Sequence, residues 1–333
     1  MKPPANINVT NFGFAAAIVN CSAGANASLR FGGTRKNFAD LRNTGPSIWA
    51  YARKAGLSTV YIEGQGGKDE LLNLMTLEER GLIDEYIQKY DVPIRDRDMA
   101  IVEELIERLG NDHSEFIYVN KVGGHFPLND RYPDSHTLYR PALPRNAGLD
   151  GDGLRPLRAL SAFRGGHEQW RRYRNSYRNT LLWNVGEFFD RLLNRASLDN
   201  ATIIYTADHG QDLHERRAEG IGTHCGSEPV PEEGLVPLVI IEGAKRKTFD
   251  WERNLESNHN GSSAFHIFPT LIELMGYDHG PVRKTYGLPL HEAIDDPMTF
   301  TVEFDVLPGK ERTWHEIDLS DIAAPPVTDY IVP

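Results

Sequence analysis

The architecture this sequence predicts is an α/β fold with a mostly parallel sheet sandwiched by helices. Two observations carry that expectation. Helix, glycine and strand recur in that order, at Ser47–Ala55, Gly56 and Ser58–Ile62, then at Asp98–Leu109, Gly110 and Glu115–Val119. Strands alternating with helices pair in parallel and bury both sheet faces. The second observation is that Ala201–Tyr205 and Leu235–Ile241 are short apolar runs of strand length, the first rich in β-branched and aromatic residues. A length of 333 residues suits one large domain of this kind or two small ones. We take it as one domain over 1–333, with a C-terminal strand and loose tail in 300–333.

Composition narrows the function. With 40% apolar and 25% charged residues, the chain falls in the ordinary soluble globular range. A net charge of −11 argues against general nucleic-acid binding, which calls for a basic stripe. No run approaches the roughly 18 apolar residues of a membrane span. Met1–Ala15 lacks a charged segment followed by an apolar core, so the chain as written carries no anchor or export signal. Its two cysteines, Cys21 and Cys225, make no disulfide framework or zinc knuckle. A bridge between them and two separate buried thiols both stay open.

Along the chain, Met1–Thr10 is polar, and Phe12–Val19 is apolar and leads into the small residues Asn20–Ser28. Such a stretch suits a turn into a helix N-terminus, whose unpaired amides can receive an anion, or plain close packing of a helix on a sheet. In Asp98–Leu109, the apolar residues Ile101, Val102, Leu105, Ile106 and Leu109 repeat near every 3.6 positions. Beyond the strand Glu115–Val119, Gly123 and Gly124 lead to His125. Tyr132–Gly166, rich in Pro, Arg, Gly and Asp, reads as a long irregular flap facing substrate. Tyr173 through Leu193 then carry one long apolar stripe, read as core. After Ala201–Tyr205 come the polar loop Gln211–Gly220 and the segment Gly222–Gly226. In Leu235–Ile241, Pro237 hints at an edge or irregular strand. Ser262–Met275 reads as a helix, Phe300–Val306 as a strand and Ala323–Pro333 as a tail.

Chemistry concentrates at Ala201–Gly210, where a buried strand ends in Asp208, His209 and Gly210. In an open α/β sheet, ligands bind beyond the carboxyl ends of the strands. A carboxylate and an imidazole leaving the sheet together can reach one divalent cation, and Gly210 allows a sharp turn. The alternative is an Asp capping the next turn beside an exposed His. His125 follows its own strand and should share that sheet edge.

Four stretches stand out: YTADHG at 205–210, GTHCG at 222–226, GGHFP at 123–127 with Arg131-Tyr132-Pro133, and Phe268-Pro269-Thr270-Leu271 with Gly276-Tyr277. Together, from about Asn11 to Pro289, they resemble the sulfatase-like branch of the alkaline phosphatase superfamily. Within it the chain is most similar to the catalytic domain of bacterial phosphoethanolamine transferases that modify lipid A. The resemblance implies an alkaline-phosphatase-like, sulfatase-type fold in a single, N-terminally truncated catalytic domain. It implies Asp208 and His209 as ligands of a tightly held zinc. His125 and His224 would bind a second zinc or the substrate phosphate, so they count as both metal-binding and catalytic candidates. It implies one or two Zn2+, although Asp/His ligation suits manganese as well. The implied partners are a phospholipid donor such as phosphatidylethanolamine and a lipid A or glycan acceptor. The setting would be the periplasmic face of the bacterial inner membrane, with membrane contact only through a missing N-terminal domain.

Three departures qualify the match. The family's G-E-S strand, whose Glu is a zinc ligand, would lie before Met1. With Cys21 and Ser28 laid on the family's C-G-T-x-T-x-x-S pattern, the nucleophilic Thr falls on Ala25; Ser22 is the nearest upstream hydroxyl, about one helical turn away. The family's histidine five residues before the loop His is Asn120. A sulfatase formylglycine signal, C-x-P-x-R, is also absent at Cys21. The expectation is therefore a transferase impaired as written. The other readings are a phosphodiesterase or sulfatase-like hydrolase using metal-bound water, and a non-catalytic module that binds an anion or a partner.

Overall fold

In the computed structural model the described residues are 4–145, 164–216, 220, 222–244, 246, 248–303 and 311–323. The chain enters the fold earlier than its apolar run predicts. β1 spans Ile7–Ala16, so Asn8, Thr10 and Asn11 are already strand. Their polarity hid the start. A bulge between Asn11 and Phe14, with Gly13 at φ +73, further spoils the alternation that would have shown it.

The order continues with α1 (Ser22–Phe31), α2 (Phe38–Thr44), α3 (Ile48–Lys54), β2 (Ser58–Glu63), α4 (Leu77–Arg80), β3 (Glu85–Gln88), α5 (Arg97–Leu109) and β4 (Glu115–Asn120). α6 (His167–Leu181) and α7 (Phe188–Arg195) are joined by a π-helical turn over Leu182–Glu187, and β5 is Thr202–Thr206. Then come β6 (Leu235–Gly243), α8 (Leu255–Asn258), β7 (Ser262–Ser263), α9 (Ile267–Leu274), α10 (His279–Tyr286), β8 (Thr299–Phe300) and β9 (His315–Glu316). The helix expected over Ser262–Met275 thus begins as a strand and a 3-10 turn. The strand expected from Phe300 is a two-residue pairing with His315–Glu316, and 304–306 lie outside the described residues. So do 146–163 of the expected flap, 217–219 of the polar loop and 324–333 of the tail; Tyr132–Arg145 is irregular apart from one 3-10 turn.

The fold is mixed α/β with a mostly parallel arrangement of strands flanked by helices. One sheet has the order β5-β6-β1-β7 and the other β3-β2-β4. Within these two sheets only β6 runs against its neighbours, antiparallel to both β1 and β5, while β8 and β9 form a separate antiparallel pair. Pro237 therefore sits in an interior strand. It faces Phe14 just past the bulge and lies beyond Leu238, the last β6 residue paired with β5, so its missing N–H breaks no β5–β6 bond.

The cores match the periodicities. Phe12, Val236, Leu238 and Ile240 bury the first sheet against Ala25 and Leu29 of α1. Val60 and Ile62 of the second pack on Met99, Val102 and Leu105 of α5 and on Trp183 and Phe188. On the other face Tyr61 meets Trp49, Phe268 and Tyr286.

β5, expected to be buried, is half-exposed at every residue, as is β4 except at Asn120. Each is the last strand of its sheet. Among the described residues nothing pairs with the outer edge of either. A cavity of about 1280 Å³ separates them, lined also by Tyr177, Leu181, Leu182 and Val185 of the stripe read as core. Burial of a central strand needs a neighbour on both sides, and β5 has one only on the β6 side.

Candidate functional site

The carboxyl ends of β1, β4 and β5 deliver the expected residues to one place. Asp208 and His209 follow β5. Gly210 behind them is required less by its turn than by crowding: a Cβ there would lie 1.9 Å from the Glu232 carbonyl oxygen. His125 follows β4 through the turn in which its amide bonds the Val122 carbonyl at 3.2 Å. The His209 and His224 rings stack at 4.5 Å, Phe126 lies 6.0 Å from His224, and His125 stacks on Phe126 at 4.7 Å. Asp208, His209, His125 and His224 therefore converge as the sequence predicts.

Ser22 is the first residue of α1. Its Oγ lies 3.0 Å from His209 Nε2, beside the Asp208 carboxylate that it helps to keep ionised. The register laid on Cys21 puts the family's nucleophile position at Ala25, but the hydroxyl that faces Asp208 and His209 is that of Ser22. Ala25 is 1% exposed and packs into the core beneath the first sheet, so its position on the helix points away from the site. Spacing from Cys21 counts residues without fixing which helix face looks at Asp208.

Two residues escaped the sequence reading. Asn26, one turn after Ser22, donates to Asp208 Oδ2 at 3.0 Å and to the Ser22 carbonyl at 3.0 Å. Tyr118 of β4 donates its hydroxyl to Asn26 Oδ1 at 3.1 Å. The four-residue spacing from Ser22 to Asn26, which puts both on one helix face, was the available signal. Asn120, standing where the family has a histidine, instead donates to both carboxylate oxygens of the buried Glu63.

The three imidazoles share an orientation. Nδ1 lies 2.7 Å from the Gly210 carbonyl in His209, 2.5 Å from the Phe126 carbonyl in His125 and 2.8 Å from Thr223 Oγ1 in His224. With Nδ1 so engaged, Nε2 is the nitrogen left for a ligand or proton. Burial, followed by His209 and His125, lowers the His224 pKa to about 4. Burial likewise lowers that of His125. Burial works to raise the Asp208 pKa, but His209 and the Ser22 hydroxyl outweigh it, and the carboxyl stays below its usual value. Neutral imidazoles beside an ionised carboxylate are the protonation states a divalent cation needs.

The donors suit such an ion in kind but are few. His209 Nε2 and Asp208 Oδ2 lie 3.9 Å apart. No three of Asp208, His209, His125 and His224 bring ligand atoms within 4.8 Å of one another. A held zinc normally takes three or four protein ligands.

Cys21, directly before Ser22, and Cys225, directly after His224, form a disulfide with Cα atoms 4.7 Å apart. Of the two readings left open by the sequence, the bridge is the one realised. It ties the start of α1 to the His224 loop. Arg131 adds a cation near His125; its guanidinium is held by the Pro127 and Phe126 carbonyls, and Nη1 is buried without a hydrogen-bond partner.

The family model for sulfatases matches residues 20–277, from the turn before Ser22 to the residues after α9. The chain belongs to the sulfatase family. Among curated proteins, this sulfatase-family chain is similar to the Kdo(2)-lipid A phosphoethanolamine 7''-transferase of Escherichia coli K12. The two are 28% identical over 145 residues, covering 43% of this chain and 22% of that protein. The matched region thus spans about a fifth of the relative's length. Among solved structures it is similar to the C-terminal periplasmic domain of EcEptC from E. coli in complex with Zn. The TM-score is 0.66 at 18% identity, over 98% of this chain and 84% of that one. The soluble domain of lipooligosaccharide phosphoethanolamine transferase A from Neisseria meningitidis gives 0.57 at 17% identity, over 80% and 77%. At such identities the likeness speaks for the fold. Among the described residues no helix is long and apolar enough to cross a membrane.

Proposed function

We propose that the chain carries a phosphoethanolamine-transfer site acting between a phospholipid donor such as phosphatidylethanolamine and a lipid A or surface-glycan acceptor, with Ser22 as the accepting hydroxyl. The observation that carries this reading is Ser22 Oγ at the start of α1, 3.0 Å from His209 Nε2 and beside Asp208. The amides of the first turn face the same point, and a phosphate there gains from them and from the helix dipole. Arg131 supplies the nearest guanidinium to His125, and guanidinium forks match phosphate oxygens. His224 and His125, neutral and with Nε2 free, accept or donate one proton as the phosphoryl group moves. The disulfide beside Ser22 and His224 fits an oxidising, periplasmic setting.

Asp208 and His209 would hold the divalent cation the relatives suggest, zinc or manganese. Bound there, it would lower the pKa of the Ser22 hydroxyl and offset charge on the phosphoryl oxygens. The Nε2 lone pair of His209 serves either that ion or the Ser22 proton, never both at once. With two convergent protein ligands the ion is held weakly, so we propose that turnover is impaired by metal occupancy and not by a missing hydroxyl. Hydrolysis is the second reading. It is favoured by the cavity of about 1280 Å³ that reaches Ser22, Asp208 and the three imidazoles and gives water a direct approach.

Intact-protein mass spectrometry after incubation with phosphatidylethanolamine vesicles and excess Zn2+ tests the reading. A phosphoethanolamine adduct on Ser22 is expected, absent from Ser22→Ala and not formed when zinc is chelated before the donor is added. No adduct at saturating zinc, or one that persists in Ser22→Ala, overturns it. A vesicle-bound chain without adduct would favour the non-catalytic module.

A further inference from the structure

We propose that Glu273, His279 and His291 form a divalent-cation site of the zinc class, sharing no residue with the Asp208 cluster and going beyond the transfer reading. Glu273 lies near the end of α9, His279 begins α10, and His291 follows α10 by a short loop. His279 Nδ1 is 2.8 Å from Glu273 Oε1, and His291 Nε2 is 3.3 Å from Glu273 Oε2. One ligand atom from each residue falls within 4.8 Å of the other two. One carboxylate thus stands between two imidazole nitrogens, and a single cation can replace the protons that now link them.

The surroundings hold two of the three donors, Glu273 and His291, in that geometry. The Glu273 side chain is 6% exposed and that of His291 16%, so neither sweeps through solvent. The His291 ring lies flat on Phe249, centroids 4.0 Å apart and planes 7° apart, with Trp251 at its edge. Its Nδ1 is buried without a hydrogen-bond partner, leaving Nε2 as the nitrogen that reaches the cluster. If His279 binds through Nδ1, its Nε2–H points towards Glu292, whose Oε1 is 4.0 Å away. A carboxylate behind a ligating imidazole is the usual outer partner, fixing the ring and raising its basicity. A cavity of about 380 Å³, lined by His291, Glu292, Asp250 and Arg253, borders the cluster and leaves room for a fourth ligand such as water. Two imidazoles, one carboxylate and an open position match a zinc-type coordination. Bound there, the ion clamps the end of α9, the start of α10 and the following loop together.

The test is calorimetric titration of the chelator-treated chain with zinc chloride alone. In an Asp208→Ala/His209→Ala background one equivalent of zinc should still bind and raise the melting temperature. Adding His291→Gln should abolish that equivalent or weaken it at least tenfold, with circular dichroism unchanged. Glu292→Gln should weaken it less. Failure of the background variant to bind zinc, or indifference to His291→Gln, overturns the site. Should that background prove unfolded by circular dichroism, His291→Gln in the otherwise unaltered chain decides. Loss of one zinc equivalent supports the site, and unchanged stoichiometry refutes it. Ser22 and its phosphoryl adduct play no part in this readout, so the two proposals fail separately.

Discussion

Removing the Cys21–Cys225 bridge, by Cys21→Ala with Cys225→Ala, should cost the fold heavily because the cross-link spans most of the chain. The sequence separation is 204 residues. In the chain-entropy account, closing a loop of that size removes about 18 cal/mol/K from the unfolded ensemble, or about 5 kcal/mol at 25 °C. Unfolding entropy near 2.1 cal/mol/K per residue gives about 0.7 kcal/mol/K for a chain of this length, so the melting temperature should fall by roughly 7 °C. Alanine is the right replacement at position 21. Cys21 precedes α1 in extended backbone and makes no side-chain cap, whereas a serine there would introduce one. Differential scanning calorimetry of the double variant, beside the parent with and without reductant, measures the effect. Reductant should move the parent and leave the variant unmoved. A shift below about 2 °C in the variant, or a parent blind to reductant, would refute the reasoning, because the bridge would not then be restricting the unfolded chain. The same experiment reports on the site, since the bridge joins the residue before Ser22 to the residue after His224.

Asp296 is nearly sealed and accepts from Arg35 at 2.9 and 2.7 Å, His266 at 2.9 Å, Ser263 at 2.7 Å and the Met298 amide at 2.8 Å. Burial opposes its charge, but His266 and Arg35 outweigh that and hold its pKa well below the usual range. A carboxyl depressed by folding stabilises fully above its unfolded pKa, near 4, and ceases to do so as pH falls through the folded value. Stability should therefore drop from about pH 4 downward. Asp296→Asn should lose about 2–3 kcal/mol at pH 7, a breach softened by Arg35's partial exposure, and should flatten the acid slope in urea titrations. Gly210→Ala should cost about 3 kcal/mol in the same assay, because its Cβ would meet the Glu232 and Leu235 carbonyls, which are backbone and cannot step aside.

Local pattern carried the sequence reading as far as local pattern determines structure. β2, α5 and β4 were legible within a residue or two because their periodicities are properties of one segment. The Asp208-His209 pair and the two loop histidines were legible because strand ends and glycines announce a turn at the binding edge. Whether Ser22 or Ala25 faces that edge depends on how α1 is rotated about its axis, which is set by the packing of Ala25 and Leu29 against the first sheet. Half-exposure of β5 was invisible for a similar reason: TIIYT fits a central strand, and only the strand order shows it to be terminal. Glu273, His279 and His291 lie six and then twelve residues apart, a spacing with no motif. Their meeting follows from the turn between α9 and α10.

The gap between β4 and β5 gives the molecule a seam. Few devices span it at the functional end, and one is the relay from Tyr118 on the β4 leaf through Asn26 to Asp208 on the β5 leaf. Ser22 and the Asp208-His209 pair travel with the β5 leaf, while His125 and Arg131 are carried on the β4 side. A shear of one leaf against the other by an ångström would change the placement of Ser22 relative to His125 directly. In this fold, alignment of the candidate site becomes a matter of mechanical stiffness across a joint, and Tyr118 and Asn26 are its clasp.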